Sequence, residues 1–301
     1  MRRRAMLAAA LALPALLPRR ALPQAPARVV ASFSILDDMV AQIGGDRVRV
    51  RTMAGPNVDA HGFAPRPSDA GALRDATLVV RNGLGFDAWM DRMIRSAGYR
   101  GPVATATADI TPRAMTGHGH GGEVPDPHAW QDPRLGASYA RTIAGALSAA
   151  DPGNAAANQA SAEAYAARLE ALDGWIRAQV ASVPEEKRKV VTSHGAFSYF
   201  GAAYGIRFLA PQGVSTEAEP SAQQVAALIR QLRAEGITAV FLENMARPAT
   251  LERLAREAGV RIRGRLYADA LSEPAGPAPN YEAMLRHNVG LLVPAMRGEA
   301  A

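Results

Sequence analysis

The chain of 301 residues contains no cysteine. That excludes disulfides, thiolate metal sites and cysteine nucleophiles, and leaves nitrogen and oxygen as the ligand atoms a metal would find. Aromatic residues are sparse, at 6%, so any core is mainly aliphatic. Beyond the first residues no apolar run reaches the roughly 20 residues that a membrane-spanning helix needs. An excess of positive charge over the body of the chain is also missing. The net charge is +6, but Arg2, Arg3, Arg4, Arg19 and Arg20 supply most of it, and a chain starting at Arg28 is close to neutral. No nucleic-acid or anionic-membrane partner is expected.

Residues 1–27 open on a cationic Met-Arg-Arg-Arg and continue as an apolar run too short to span a bilayer, the pattern of a secretory signal peptide. In an exported protein the missing cysteine also removes a lipid attachment point. The expectation is therefore a soluble periplasmic protein that is not a lipoprotein.

Against these absences stand six histidines, three of them in turns that follow apolar strand-like runs. His61 lies in Asp59-Ala-His-Gly-Phe63, His128 in Asp126-Pro-His-Ala-Trp130 and His194 in Thr192-Ser-His-Gly-Ala-Phe197; Asp269, in Leu266-Tyr-Ala-Asp-Ala-Leu-Ser272, has a similar context. A single histidine is more often a surface or hydrogen-bonded core residue than a ligand. Three in one context, with a carboxylate, point to a transition metal. Three imidazoles and one carboxylate suit Zn²⁺, whereas a bidentate carboxylate would admit Mn²⁺ or Fe²⁺. Four protein ligands leave no open coordination position, which disfavours catalysis.

Other residues carry weaker signals. Glu243, after a buried-looking strand, would either orient a ligand imidazole or pair with an arginine. Asp126 and Asp132 would shape the turns around His128 through backbone hydrogen bonds. His118 and His120, in the glycine-rich run 117–122, would form a mobile loop that collects metal weakly or does nothing. His287 reads as a structural or surface residue, and Trp89 and Trp130 as packing residues.

Short β-branched runs at 28–33, 47–53, 77–81 and 102–105 alternate with helical patterns, and the alternation returns at 189–192, 206–209, 239–242 and 261–266. This predicts an α/β fold of two lobes, each a mainly parallel sheet flanked by helices. Between them Tyr165, Leu169, Leu172, Ile176 and Val180 form one apolar stripe at helical spacing. The predicted organisation is an N-terminal lobe at 28–150, one long stiff linking helix at 151–184 and a C-terminal lobe at 185–301. An ordinary packed helix within one lobe is the alternative for the middle segment.

The four ligand segments, in this order and spacing, resemble the metal-site segments of the zinc/manganese solute-binding proteins of bacterial ABC importers, the ZnuA/TroA-like group. Similar stretches occur at 81–89, 219–221 and 241–244. The resemblance implies a metal held between the lobes by His61, His128, His194 and Asp269. It also implies delivery to an ABC permease in the inner membrane by a monomer, with room for a periplasmic metal chaperone as donor. A manganese- or iron-selective protein of the same group, or an exported metal-dependent hydrolase with Glu243 as general base, are the alternatives. Two departures stand out: Ala60 and Phe63 replace the proline and tyrosine usual around the first ligand, and the histidine-rich loop of many zinc members is nearly absent.

Overall fold

β-Branched runs too short to be helices pair into two four-stranded sheets in the computed structural model, which describes residues 25–116, 122–217 and 220–299. The first half contains β1 (Ala27–Phe33), α1 (Ser34–Gly44), β2 (Val48–Ala54), α2 (Asp69–Arg74), β3 (Leu78–Arg81), α3 (Ala88–Ala97), β4 (Val103–Thr105), β5 (Ala114–Thr116), β6 (Glu123–Pro125) and α4 (Pro133–Ala150). Next comes the long helix α5 (Ala155–Ala181). The second half contains β7 (Lys189–Val191), α6 (Ser198–Tyr204), β8 (Arg207–Leu209), α7 (Ala222–Glu235), β9 (Val240–Glu243), α8 (Ala249–Ala258), β10 (Ile262–Leu266) and α9 (Tyr281–Arg297).

Both sheets are wholly parallel, with orders β2-β1-β3-β4 and β10-β9-β7-β8. Read from the second strand of each half, the two orders are the same, so the lobes share one topology without sharing sequence. In each, the chain leaves the first strand in one direction and returns on its other side, which opens a crevice at the carboxyl ends of β1 and β3, and of β7 and β9. The eight predicted strands all form. The antiparallel hairpin β5–β6 is additional, and it brackets the glycine-histidine run.

One apolar cluster runs through both lobes, from Phe33, Leu36 and Val80 to Phe200, Phe241 and Leu292. Satellite clusters cover the outer faces of the sheets, one under α2 and α3 and the other under α7 and α8. Helix α5 belongs to the shared core: Tyr165, Leu169, Leu172 and Ile176 are fully buried along it, as the stripe predicted. Its start differs from expectation. Asp151 and Pro152 open a short 3₁₀ turn, with the Asn154 amide on Asp151, and the α-helix begins at Ala155.

Candidate metal centre

Each ligand-type side chain stands just past the carboxyl end of a strand or on a turn fastened by neighbours. His61 lies on the loop after β2, where the Trp89 indole donates to the Ala60 carbonyl at 2.8 Å. Phe63 packs on the same indole, ring centroids 4.7 Å apart. Asp59 accepts the His61 backbone N–H at 2.9 Å through Oδ1 and the Thr216 hydroxyl at 2.6 Å through Oδ2, which ties the loop to the second lobe.

His128 follows β6 and precedes α4, whose N-terminus is capped by Asp132 accepting from Arg134 N at 2.9 Å, with Pro133 in the first turn. Asp126 accepts the His128 backbone N–H at 3.0 Å and meets its Nδ1 at 2.7 Å. The other Asp126 oxygen takes the Ser198 hydroxyl. Three residues past β7 stands His194, and Glu243 ends the adjacent strand β9. One Glu243 oxygen accepts the backbone N–H groups of Ser193 and His194, at 2.9 and 3.0 Å, and the other meets His194 Nδ1. Asp269 stands three residues past β10; the Ala268 carbonyl before it accepts from Trp130 Nε1 at 2.9 Å and Gln131 Nε2 at 2.8 Å. The turn carrying His128 therefore holds the turn carrying Asp269.

The four side chains converge, each with one ligand atom within 4.8 Å of the others. Around Asp269 the imidazole Nε2 atoms lie at 3.0 Å (His194), 3.4 Å (His61) and 3.6 Å (His128), and the Nε2 atoms of His61 and His128 are 3.2 Å apart. His128, His194 and Asp269 are completely buried. His194 Nε2 and both Asp269 oxygens have no hydrogen-bond partner. Buried polar atoms are ordinarily satisfied, so three orphans facing one point mark a place for a cation. With Nδ1 of His128 and of His194 engaged by carboxylates, the Nε2 atoms are the ones turned inward, the arrangement common around bound zinc. The donor set fits the expected ion.

The charges are strongly perturbed. Burial by itself disfavours a charged His194, but the Glu243 and Asp269 carboxylates outweigh it and hold the imidazole well above its usual range. For Asp269 burial likewise works against charge, and His194 and His128 overcome it, keeping the carboxyl well below its usual range. His61 shifts the other way, lowered first by burial.

Glu243 orients an imidazole, and it forms no ion pair with an arginine among the described residues. Since both of its oxygens hold the His194 turn, it is not free to serve as a general base. Asp126 and Asp132 shape their turns as expected, but Asp126 also grips the His128 ring, which the sequence reading missed; the Asp-x-His spacing, shared with Asp59, carried that signal. Trp89 and Trp130 are packing residues that also pin ligand turns. His287 is half-buried against Tyr267, its Nε2 3.0 Å from the Arg265 carbonyl. Residues 1–24 of the expected signal segment, His118 and His120 lie outside the described residues, and Ala27, the last residue of that segment, opens β1.

Two parallel-sheet lobes whose strand ends converge on a buried three-histidine, one-aspartate cluster define a solute-binding protein of the two-lobed class. The chain belongs to the family described as zinc-uptake complex component A, periplasmic (ZnuA), whose sequence profile matches residues 29–295. This is a family of substrate-binding components of ABC transporters, not of enzymes. The chain is 32% identical over 262 residues to the iron-binding protein YfeA of Yersinia pestis, covering 87% of this chain and 84% of that one. It is also 32% identical over 275 residues to the manganese-binding lipoprotein MntA of Bacillus subtilis (strain 168), covering 90% of each. Among solved structures, the periplasmic zinc-binding protein TroA from Treponema pallidum superposes with a TM-score of 0.84 at 27% identity, over 90% of this chain and 99% of that one.

These relatives correct one expectation. MntA is a lipoprotein by name, as are the SloC and MtsA proteins of streptococci, so the inference of an unanchored protein fails. A missing cysteine speaks to a single attachment chemistry and does not set this chain apart from lipid-anchored kin. Periplasmic or extracellular placement fits.

Proposed function

We propose that the protein captures one divalent transition-metal ion through His61, His128, His194 and Asp269 and delivers it to an ABC import permease, with Zn²⁺ as the preferred cargo. The single observation that carries this reading is the buried set of three Nε2 atoms and a carboxylate whose oxygens lack any other partner. Three imidazoles with one carboxylate form a nitrogen-rich set that favours zinc, which imposes no geometry of its own. In this reading residues 28–150 form the N-terminal lobe, 151–184 the linking helix and 185–301 the C-terminal lobe, and the ion enters between the lobes.

A manganese- or iron-preferring site is the second reading. Relatives named for those metals favour it, as do the two unpartnered oxygens of Asp269, which permit bidentate coordination. Since Mn²⁺ is the weaker binder at any such site, the margin by which Zn²⁺ wins in competition titrations on metal-stripped protein distinguishes the two. The expected result is one equivalent of zinc bound far more tightly than manganese. Absence of a stoichiometric tight site for any of these ions would overturn the proposal.

A further inference from the structure

Beside the cluster lies a cavity of about 430 Å³ whose walls include none of the four ligand-type residues. It is within the roughly 300–1,000 Å³ range of small-ligand clefts. Its walls include Gly62 and Ser193, the neighbours of His61 and His194, and Glu217, whose side-chain stem lies 3.9 Å from where a Cβ on Gly62 would be. Ser193 is 4% exposed, and its buried hydroxyl has no hydrogen-bond partner.

Two charged side chains also line the cavity, Glu217 and Arg247, and among the described residues neither forms an ion pair, with the other or with anything else. Asp59, a third charged wall residue, already has an oxygen on the His61 N–H and the other on Thr216. An unpaired guanidinium alone would ask for an anion, and an unpaired carboxylate alone for a cation. Both in one cavity, unpaired with each other and joined by a buried free hydroxyl, ask for a ligand bearing both charges. We infer that this cavity is a binding site for a small α-amino acid. Arg247 receives the carboxylate in the forked geometry that guanidinium favours, Glu217 receives the ammonium, and the Ser193 hydroxyl supplies a further hydrogen bond.

The inference goes beyond metal capture, and amino-acid binding to metal-stripped protein tests it whether or not the metal reading holds. The probe is L-alanine in calorimetric titrations, with acetate and methylammonium as one-charge controls. L-Alanine should bind at least about tenfold more tightly than either control, a difference of about 1.4 kcal/mol. Arg247→Ala and Glu217→Ala, both at exposed positions, should each lose about tenfold in alanine affinity while zinc affinity, titrated in parallel, stays put. Ser193→Ala should lose less. Three results would overturn the assignment: no alanine binding at millimolar concentration, equal binding of acetate, or alanine binding that survives the Arg247→Ala/Glu217→Ala double substitution. A second equivalent of Zn²⁺ lost on Glu217→Ala, with no amino-acid binding, would instead make the cavity a cation site.

Discussion

Two turns of the same short pattern, Asp59-Ala-His61 and Asp126-Pro-His128, hold their histidines differently. In both, the aspartate Oδ1 accepts the backbone N–H of the histidine two residues on. Asp126 is fully buried and also grips the His128 ring at Nδ1. Asp59 is half-buried and spends its other oxygen on Thr216 of the second lobe. One local motif therefore makes one histidine whose ring is held in place and one whose turn answers to the opposite lobe. Under the proposed function the gripped ring favours affinity, and the turn tied across the cleft would couple release of the ion to lobe separation.

The largest expected effect comes from removing a fixed ligand. His128→Ala should weaken zinc binding by more than about 100-fold, beyond the cost of losing an orienting partner. It should also destabilise the metal-free protein by about 3 kcal/mol, because Asp126 is left buried and unpaired at the ring position. His61→Ala should match it in metal affinity and cost less stability, since the buried Asp269 carboxylate keeps His194 and His128 beside it. Calorimetry and urea unfolding of both variants separate these outcomes, and equal stability losses would erase the distinction between the turns.

The next contrast lies one shell outward. Asp126→Asn should lose about 10- to 100-fold in zinc affinity, the usual cost of a lost histidine–carboxylate bond. Asp59→Asn should lose less than that. The reverse order would show that the tie to Thr216 matters more than ring orientation.

The titration behaviour sharpens the comparison further. The raised His194 pKa gives the metal-free protein stability that is fully present below the unfolded value of about 6.5 and is lost as pH rises through the folded value. The depressed Asp269 pKa gives stability that is present above its unfolded value, about 3.8, and is lost as pH falls through the folded value. The two contributions are complete together between about pH 4 and 6.5. His61, with its lowered pKa, opposes folding as pH falls below about 6.5. Under the proposed function zinc takes the place of the His194 Nε2 proton that faces Asp269, so affinity should rise with pH and binding near neutrality should release about one proton. Titrations in buffers of different ionisation enthalpy count that proton, and a count of zero would show that His194 is already neutral.

The smallest effect belongs to the tie itself. Thr216→Val removes the hydroxyl on Asp59, worth about 1 kcal/mol or less, and should speed zinc dissociation several-fold while leaving the coordination shell unchanged. Stopped-flow chelator capture reads it; an unchanged rate would mean that the turn is held by Trp89 and Phe63 alone.

How much of this was legible in the sequence depended on how far each signal reached. Runs such as Val29 to Phe33 and Val240 to Leu242 announced buried parallel strands because both faces of those strands meet apolar layers. The stripe from Tyr165 to Val180 announced α5 for the same reason on one face. The β5–β6 hairpin went unseen because three-residue strands beside a glycine-rich run give no periodicity. Asp151-Pro152 suggested a helix start a few residues early, since the same residues open a 3₁₀ turn equally well. The four ligand-type residues stood out by context, and their convergence across 208 positions, from His61 to Asp269, is a product of the matched strand orders of the lobes. The grip of Asp126 on a ring was written only as an Asp-x-His spacing, and Asp59, in the identical spacing, does something else.

The central claim is that these four side chains form one metal shell. X-ray absorption spectroscopy of protein carrying one equivalent of zinc tests it most directly. The account predicts three imidazole nitrogens and one carboxylate group, with zinc–nitrogen distances of about 2.0–2.1 Å. A shell dominated by water or carboxylate oxygen, with one imidazole or none, would contradict it.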